Sequence, residues 1–266
     1  MERLQVLKIG GSVLTDKRAG RGELREELLR EIFRRIREEV RGPLVLVHGG
    51  GSEVHRVAVE HNVSRGIGHS TPEGFVRTAI EVRRVNLRVT ELMLSSGLLP
   101  FSVPASLAFR TSGGAIRSAN LEPFLASLEL GMTPVTCGDV VFDRELGFTV
   151  LSGDAIAVHL AIKLRAARIV HATDVDGVLV RDPDGGTRVL PAMDYETHRR
   201  TIYTEVPDAT GGMATKVEEA FEAVNAGVEV VIVNGLKPER VIGALRGDRV
   251  EGTYLVKDLT SFRPRV

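Results

Sequence analysis

Strand-like apolar runs that alternate with helix-like segments constrain the fold of this 266-residue chain more than any other feature. Val/Ile/Leu-rich runs between helices are typical of a mostly parallel sheet with both faces covered. The length suits one α/β domain, residues 1–266, with a soft boundary near residue 165. The predicted strands are 4–9, 44–47, 101–103, 133–136, 140–143, 147–150, 168–171, 229–233 and 253–256, with a hairpin within 133–150. The predicted helices are 21–40, 52–61, 72–96, 122–130, 152–164, 215–226 and 238–245.

Short polar turns rich in glycine or aspartate follow four of these runs, at residues 10–12, 49–52, 152–154 and 173–177. The carboxyl ends of parallel strands share one edge of a sheet, so these turns are expected to meet. Glycine has no Cβ and lets backbone N–H groups approach phosphate oxygens. Ser52 is expected to cap the following helix, whose positive end would face the same anion.

Three lysines lie beside the glycine turns. Lys8 lies among apolar strand residues, where an unpaired ammonium group is costly to bury, so a bound anion is expected there. Lys216 is predicted near a helix start, where a cation opposes the macrodipole unless a phosphate occupies the same end. Lys17 follows the first glycine turn, and an ordinary surface lysine is the alternative. The pattern favours a small-molecule kinase that holds a polyphosphate beside an anionic acceptor.

Composition narrows the function classes. The 35 basic and 35 acidic residues balance, so no global field favours nucleic acid or an acidic membrane as a partner. The lone cysteine, Cys137, excludes an internal disulfide framework and fits a buried strand position. No signal peptide and no apolar run of about 20 residues is evident, so a cytoplasmic protein is expected. No Walker A, GxGxxG or protein-kinase His-Arg-Asp pattern occurs.

Several acids and histidines are candidates for chemistry at this edge. His48 follows a strand and fits a structural role, whereas His55, one turn into the next helix, would point back to the glycines. Asp154 fits either a helix N-terminal charge or a functional carboxylate. Asp174 and Asp176 flank a turn and are expected to organise lysines or ribose, and no protein ligand set for a metal is expected.

Five motifs, in this order along nearly the whole chain, resemble the amino acid kinase family: Lys-Ile-Gly-Gly-Ser (8–12), His-Gly-Gly-Gly-Ser (48–52), Ser-Gly-Asp (152–154), Thr-Asp-Val-Asp-Gly-Val (173–178) and Thr-Gly-Gly-Met (210–213) with Lys216. The resemblance implies a three-layer αβα sandwich with a largely parallel central sheet. It also implies an acceptor in the half 1–165, ATP in the half 166–266, Mg²⁺ carried mainly by phosphate oxygens, and a homodimer.

Within this family, the segment 10–17 and the position of His55 resemble the isopentenyl phosphate kinases. That likeness implies phosphorylation of isopentenyl phosphate, a phosphorylated isoprenoid, to its diphosphate in an archaeal-type mevalonate pathway, with His55 bound to the acceptor phosphate. Glu53 and Val54 depart from the usual Gly-Gly-Gly-Ser-Phe-Gly-His segment. The alternatives are a fosfomycin-type phosphonate kinase, an acetylglutamate-like carboxylate kinase and a non-catalytic ligand-binding member of the fold.

The resemblance also implies a role for each matching residue. The catalytic set would be Lys8, Lys17, His55, Asp154 and Lys216, and the acceptor would contact Gly50, Gly51, His55 and Gly153. ATP would contact Lys8, Gly10, Gly11, Thr173, Asp174, Asp176, Gly177, Gly212, Met213 and Lys216. A prenyl tail needs an apolar wall, for which Phe75, Val76, Ile80 and Val82 are candidates, with core packing as the alternative.

Overall fold

A computed structural model describes residues 3–16, 23–181, 186–203 and 212–262. In this part of the chain the largest sheet has eight strands in the order β12-β14-β13-β9-β1-β2-β6-β3. Its strands are β1 (Gln5–Ile9), β2 (Leu44–His48), β3 (Pro100–Ser102), β6 (Thr133–Cys137), β9 (Arg168–Thr173), β12 (Ala192–Met193), β13 (Glu229–Asn234) and β14 (Thr253–Leu255). All neighbours are parallel except β13 and β14. The predicted, mostly parallel sheet is therefore confirmed.

Helices cover both faces of this sheet, which makes the three-layer αβα sandwich. Two large apolar clusters fill the interfaces, one on each face. One side carries α5 (Ala105–Ala108), α6 (Glu122–Glu129), α7 (Gly153–Lys163) and α9 (Gly212–Asn225), and the other α2 (Glu26–Glu39), α4 (Pro72–Ser95) and α10 (Pro238–Arg246). The remaining helices are α1 (Gly11–Leu14), α3 (Gly51–Glu60) and α8 (Tyr195–Arg200).

The central strand β1 is buried along its whole length, as a strand between two parallel neighbours should be. The long helix α4 begins where Thr71 accepts a hydrogen bond from the Gly74 amide and Pro72 fills the first turn. It ends just before Gly97, whose φ of +85° stops the helix. No helix in the described ranges is both long and apolar enough to cross a lipid bilayer.

A second sheet has four strands in the order β5-β4-β7-β8: β4 (Phe109–Ser112), β5 (Ala115–Ala119), β7 (Asp139–Asp143) and β8 (Gly147–Leu151). The predicted hairpin is its β7–β8 pair, whereas the run at 133–136 became β6 of the main sheet. The sequence reading missed β4, β5 and the small antiparallel pair β10 (Leu179–Arg181) and β11 (Thr187–Val189). Their exposed, alternating or very short sequences lack the apolar run that identified the other strands.

Three predicted helix starts are wrong. The helix predicted over 21–40 begins only at Glu26, after an isolated bridge between Leu24 and Thr15. Gly50, not Ser52, is the N-cap of α3, and the backbone and side chain of Ser52 instead donate to the Thr15 hydroxyl at 3.0 and 3.2 Å. Helix α9 begins at Gly212, so Lys216 lies one turn inside the helix and not at its first residue.

Candidate active site

The polar turns that follow the parallel strands surround one cavity of about 740 Å³. Glycines after β1 and β2 form its floor, and the start of α7 and the first turns of α9 close its sides. The expected convergence at the carboxyl edge of the sheet therefore occurs. The predicted site residues on its wall are Lys8, Gly10, Gly11, Gly50, Gly51, His55, Gly153, Asp154, Thr173, Asp174, Gly212, Met213 and Lys216.

One carboxylate joins two lysines at the centre of this cavity. Lys8 Nζ lies 2.8 Å from Asp154 Oδ1, and Lys216 Nζ lies 2.6 Å from Asp154 Oδ2. The side chains of Lys8, Asp154 and Lys216 are only 6%, 14% and 13% exposed. Strands and helices far apart in sequence thus bring two ammonium groups to one point, with a net charge of one positive unit.

Burial and charge perturb these groups in opposite directions. Burial would raise the pKa of the Asp154 carboxyl, but Lys216 and Lys8 outweigh it and hold that pKa well below its ordinary value. Burial, together with the neighbouring Lys216 charge, lowers the pKa of Lys8 to about 8 despite the attraction of Asp154. The two ammonium groups compete for a single carboxylate, and the more deeply buried Lys8 is the one that discharges more easily. A phosphate in the cavity would relieve this competition.

The glycine turns pack too closely to accept a side chain. A Cβ on Gly49 would lie 2.6 Å from the Gly11 nitrogen, and one on Gly51 would lie 2.6 Å from Thr15 Cγ2. Gly51 also has a φ of +72°, which disfavours other residues. A Cβ on Gly153 would lie 3.1 Å from the His48 carbonyl oxygen, so a glycine there allows α7 to begin close to the end of β2. These contacts give the cavity a backbone-lined floor.

His48 supports the floor from outside the cavity. The buried ring donates from Nδ1 to the Gly49 carbonyl at 2.8 Å and accepts at Nε2 from the Asn86 amide at 3.0 Å. Asn86 in turn accepts a hydrogen bond from Ser102. Burial lowers the pKa of His48 to about 4, so the ring is neutral near pH 7. This geometry agrees with the structural role expected from the sequence.

His55 is exposed on α3 and faces the cavity. The unusual residues before it leave the helix intact, because Glu53 forms an ion pair with Arg56 while Val54 packs with Val82 and Cys137. Cys137 is buried in β6, where burial raises the pKa of its thiol.

Some predicted site residues lie elsewhere. Asp176 accepts from Asn234, Lys237 and Arg240, and these contacts, led by the Asn234 amide, lower its pKa to about 2. Gly177 has a φ of +145° and a Cβ position 2.7 Å from Thr253 Oγ1. Neither of these two residues lines the cavity, and Lys17 lies outside the described residues.

The apolar wall differs from the one suggested by α4. Of the four candidates only Val82 lines the cavity. Phe75 packs against two phenylalanine rings of the second sheet, and Val76 and Ile80 are exposed on the outer face of α4. The apolar side chains that line the cavity are Val54, Ala58, Val82, Val140, Val150, Leu151, Val175 and Met213.

Three ionisable residues near the site were missed by the sequence reading. His171 Nδ1 lies 3.2 Å from Asp154 Oδ1, and its position beside Lys8 depends on the register of β1 and β9. Glu219, one turn after Lys216, has its pKa raised to about 7, chiefly by burial and then by the Asp154 charge. Asp139, a buried residue of the cavity wall, accepts from Arg83 at 2.9 Å, a pair no local pattern reveals.

The residues present fit a nucleotide with a metal carried by its phosphates. The described ranges contain no group of three or more His, Cys, Asp or Glu side chains placed to bind a metal ion. Asp154 and Asp139 are occupied by cationic side chains, whereas Asp174 is exposed at the cavity and accepts from Ser12 at 2.8 Å. Mg²⁺ characteristically keeps waters and binds through phosphates and one or two carboxylates, so Asp174 is the carboxylate here that suits it.

Comparison with known proteins identifies relatives of this chain. Residues 3–234 match the model of the amino acid kinase family. The chain is 34% identical to isopentenyl phosphate kinase of Methanothermobacter thermautotrophicus over 94% of this chain and 98% of that protein. It is 32% identical to isopentenyl phosphate kinase of Thermoplasma acidophilum over 95% of this chain and 100% of that protein.

A solved X-ray structure of isopentenyl phosphate kinase superposes with a TM-score of 0.82 at 32% identity, covering 94% of this chain and 99% of that one. The family match, residues 3–234, includes the strands that carry Lys8 and Thr173 and the helix that carries Lys216. Together with the family match, this similarity identifies the chain as a member of the amino acid kinase family.

Proposed function

We propose that this chain is an ATP-dependent kinase that phosphorylates isopentenyl phosphate to isopentenyl diphosphate. The observation that carries the proposal is the pair of lysines on Asp154 in a cavity that also has a histidine and an apolar wall. The volume of about 740 Å³ lies within the range of roughly 300–1,000 Å³ usual for small-molecule sites. Similarity to isopentenyl phosphate kinases over nearly the full length supports the same acceptor.

The proposed chemistry needs no general base. An acceptor phosphate is already ionised near pH 7, so no proton need be removed before attack. One of its oxygens forms a bond to the γ-phosphorus of ATP, and the bond from that phosphorus to the bridging oxygen breaks, leaving its electron pair on ADP. Catalysis then consists of positioning and charge stabilisation. Lys8 and Lys216, already converged on Asp154, would supply that charge.

At the nucleotide end, Gly10, Gly11, Gly212 and Met213 would contact ATP, with Thr173 and Asp174 beside its phosphates or ribose. Asp176 and Gly177 do not line the cavity and would act indirectly, by stabilising the turn after β9. Lys17 would also bind the ATP phosphates. Bound Mg²⁺ would neutralise phosphate charge, with Asp174 as its nearest suitable carboxylate.

At the acceptor end, Gly50, Gly51 and Gly153 would present backbone N–H groups to the acceptor phosphate, and His55 would donate a side-chain hydrogen bond. The prenyl tail would lie along Val82 and its apolar neighbours. The half 1–165 would thus hold the acceptor and the half 166–266 most of the nucleotide, with Gly10 and Gly11 of the first half reaching the nucleotide phosphates. We also propose a homodimer, which sedimentation of the pure protein would test.

A coupled assay with ATP and Mg²⁺ tests the acceptor assignment. Isopentenyl phosphate, fosfomycin and acetylglutamate are compared by kcat/KM, since they present a phosphate monoester, a phosphonate and a carboxylate. Isopentenyl phosphate should be preferred by at least about 100-fold, the scale of one well-placed polar recognition element plus apolar contact. A preference for fosfomycin or acetylglutamate would replace the proposed acceptor, and ATP binding without turnover of any acceptor would indicate a ligand-binding protein.

A further inference from the structure

We propose that His171 is a positioning residue that orients the Asp154 carboxylate between the two lysines. Its effect on turnover rests on the proposed kinase function, whereas the proposed hydrogen bond from His171 Nδ1 to Asp154 can be tested without any substrate.

The register of the sheet places His171 directly beside the lysine of the site. His171 of β9 pairs with Lys8 of β1 and, on its other side, with Ile232 of β13. Side chains at paired positions of neighbouring strands lie on the same face, so the imidazole points into the layer that holds Asp154 and Lys216. The side chain is fully buried, and Nδ1 is 3.2 Å from Asp154 Oδ1.

The burial of the polar His171 ring at this strand position costs stability. Within the described ranges, neither ring nitrogen completes a well-aligned hydrogen bond. A buried polar group without a full partner costs stability, and the neighbouring strand position is filled by an apolar isoleucine. The Asp154 carboxylate is an acceptor within reach of Nδ1, so a hydrogen bond donated by the ring to that carboxylate would offset the stability cost.

The charge state of the ring follows from its surroundings. Lys8 faces it from β1, Asp154 from α7 and Lys216 from α9. Burial, the largest effect, lowers the pKa of His171 in spite of Asp154, so the ring is neutral near pH 7. A neutral imidazole that faces a carboxylate with Nδ1 must carry its single proton there. His171 therefore adds a hydrogen-bond donor to Asp154 without adding a third positive charge.

The Nδ1–H group of His171 is expected to contribute most when the two lysines contact a substrate. In the structure the Asp154 carboxylate forms ion pairs with the two ammonium groups. When these shift toward a transferring phosphoryl group, Asp154 loses part of that neutralisation, and the fixed Nδ1–H group keeps the carboxylate ionised and in place. The effect is expected on kcat more than on the KM of either substrate.

Three variants separate positioning from packing. Asparagine can place its amide N–H near the position of Nδ1, so His171→Asn should keep kcat within about threefold of wild type. His171→Leu removes the donor and should lower kcat by about tenfold or more, with each KM changed by less than about twofold. The control Ile232→Val shortens the neighbouring side chain without a contact to Asp154 and should leave kcat unchanged while lowering stability slightly.

Nitrogen-15 NMR of the ligand-free protein gives an independent readout. Comparison with His171→Asn identifies the His171 signals among the seven histidines. A protonated Nδ1 and an unprotonated Nε2 support the proposal, and the opposite tautomer overturns it. Equal losses of kcat in His171→Asn and His171→Leu, or a wild-type kcat in His171→Leu, overturn it as well. If His171→Leu does not fold, the asparagine variant and the tautomer decide. A wild-type protein inactive on every acceptor would refute the proposed function, while the tautomer would still report on the hydrogen bond to Asp154.

Discussion

Replacing Asp154 by asparagine removes the one negative charge that lies between Lys8 and Lys216. Both lysines lose a partner at less than 3 Å, and both stay buried. Two like unit charges about 4 Å apart repel by roughly 4 kcal/mol at an effective dielectric constant of about 20. Removal of one partner of a buried ion pair typically costs about 3–5 kcal/mol, so both arguments agree on the scale. We expect Asp154→Asn to lower the free energy of unfolding by about 3 kcal/mol near pH 7.

The penalty should depend on pH in a defined direction. The folded-state pKa of Lys8, about 8, lies below its ordinary value of 10.5. The buried charge of Lys8 therefore lowers the free energy of unfolding most below about pH 8, and this destabilisation disappears above the unfolded-state pKa. Without Asp154, the pKa of Lys8 falls further and the group discharges at lower pH. The difference in stability between wild type and Asp154→Asn should therefore narrow as the pH rises from about 7 to about 10.

Denaturant unfolding at about pH 7 and about pH 10 measures this difference in the free energy of unfolding, with Asp176→Asn as the matched control. Asp176 also accepts from a lysine and an arginine, but its side chain is 35% exposed. Solvent screens that cluster, so the control should lose about 1 kcal/mol or less. An Asp154→Asn protein as stable as the control near pH 7, or a difference that widens with pH, would refute the reasoning.

Four further results are expected. Lys216→Met should lower kcat by about 100-fold or more while the ATP Kd by calorimetry changes only a few-fold, with the exposed Lys163→Met as control; equal losses in both variants would contradict a role in transfer. His55→Ala should raise the acceptor KM by an amount equivalent to ~1.5–3 kcal/mol and leave the ATP KM unchanged, and an unchanged acceptor KM would remove the main residue-level support for a phosphate acceptor. In pH–rate profiles, kcat/KM for ATP should fall as the pH rises through about 8, because Lys8 loses its proton there; a profile flat to about pH 10 would be inconsistent with this assignment. Gly49→Ala should abolish activity and destabilise the fold, because its Cβ would lie 2.6 Å from a backbone nitrogen, and a stable, active variant would show that the glycine floor is not rigid.

Much of the sheet and of the lysine pair is evident in the sequence. Lys8 stands out because it interrupts an apolar strand, and Asp154 because it follows a strand and opens a helix. Backbone periodicity and turn chemistry are local, so these features need no knowledge of packing. Their convergence follows from the rule that turns after parallel strands share an edge.

The residues that the sequence reading missed depend on contacts between distant segments. His171 meets Asp154 only because β9 pairs with β1 in one particular register. Arg83 and Asp139 are 56 positions apart and meet across α4 and β7. The N-cap of α3 is Gly50 and not Ser52, because the Ser52 amide donates a hydrogen bond to the hydroxyl of Thr15 in a neighbouring segment. Such pairings are set by tertiary packing, which single-sequence patterns do not encode.

A crystal structure with ADP, Mg²⁺, aluminium fluoride and isopentenyl phosphate would test the central claim most directly. Aluminium fluoride mimics the phosphoryl group during transfer, so the ammonium groups of both Lys8 and Lys216 should contact its fluoride ligands, with the acceptor phosphate in line behind it. A complex in which either ammonium group remained on Asp154 and made no contact with the fluoride ligands would contradict the account.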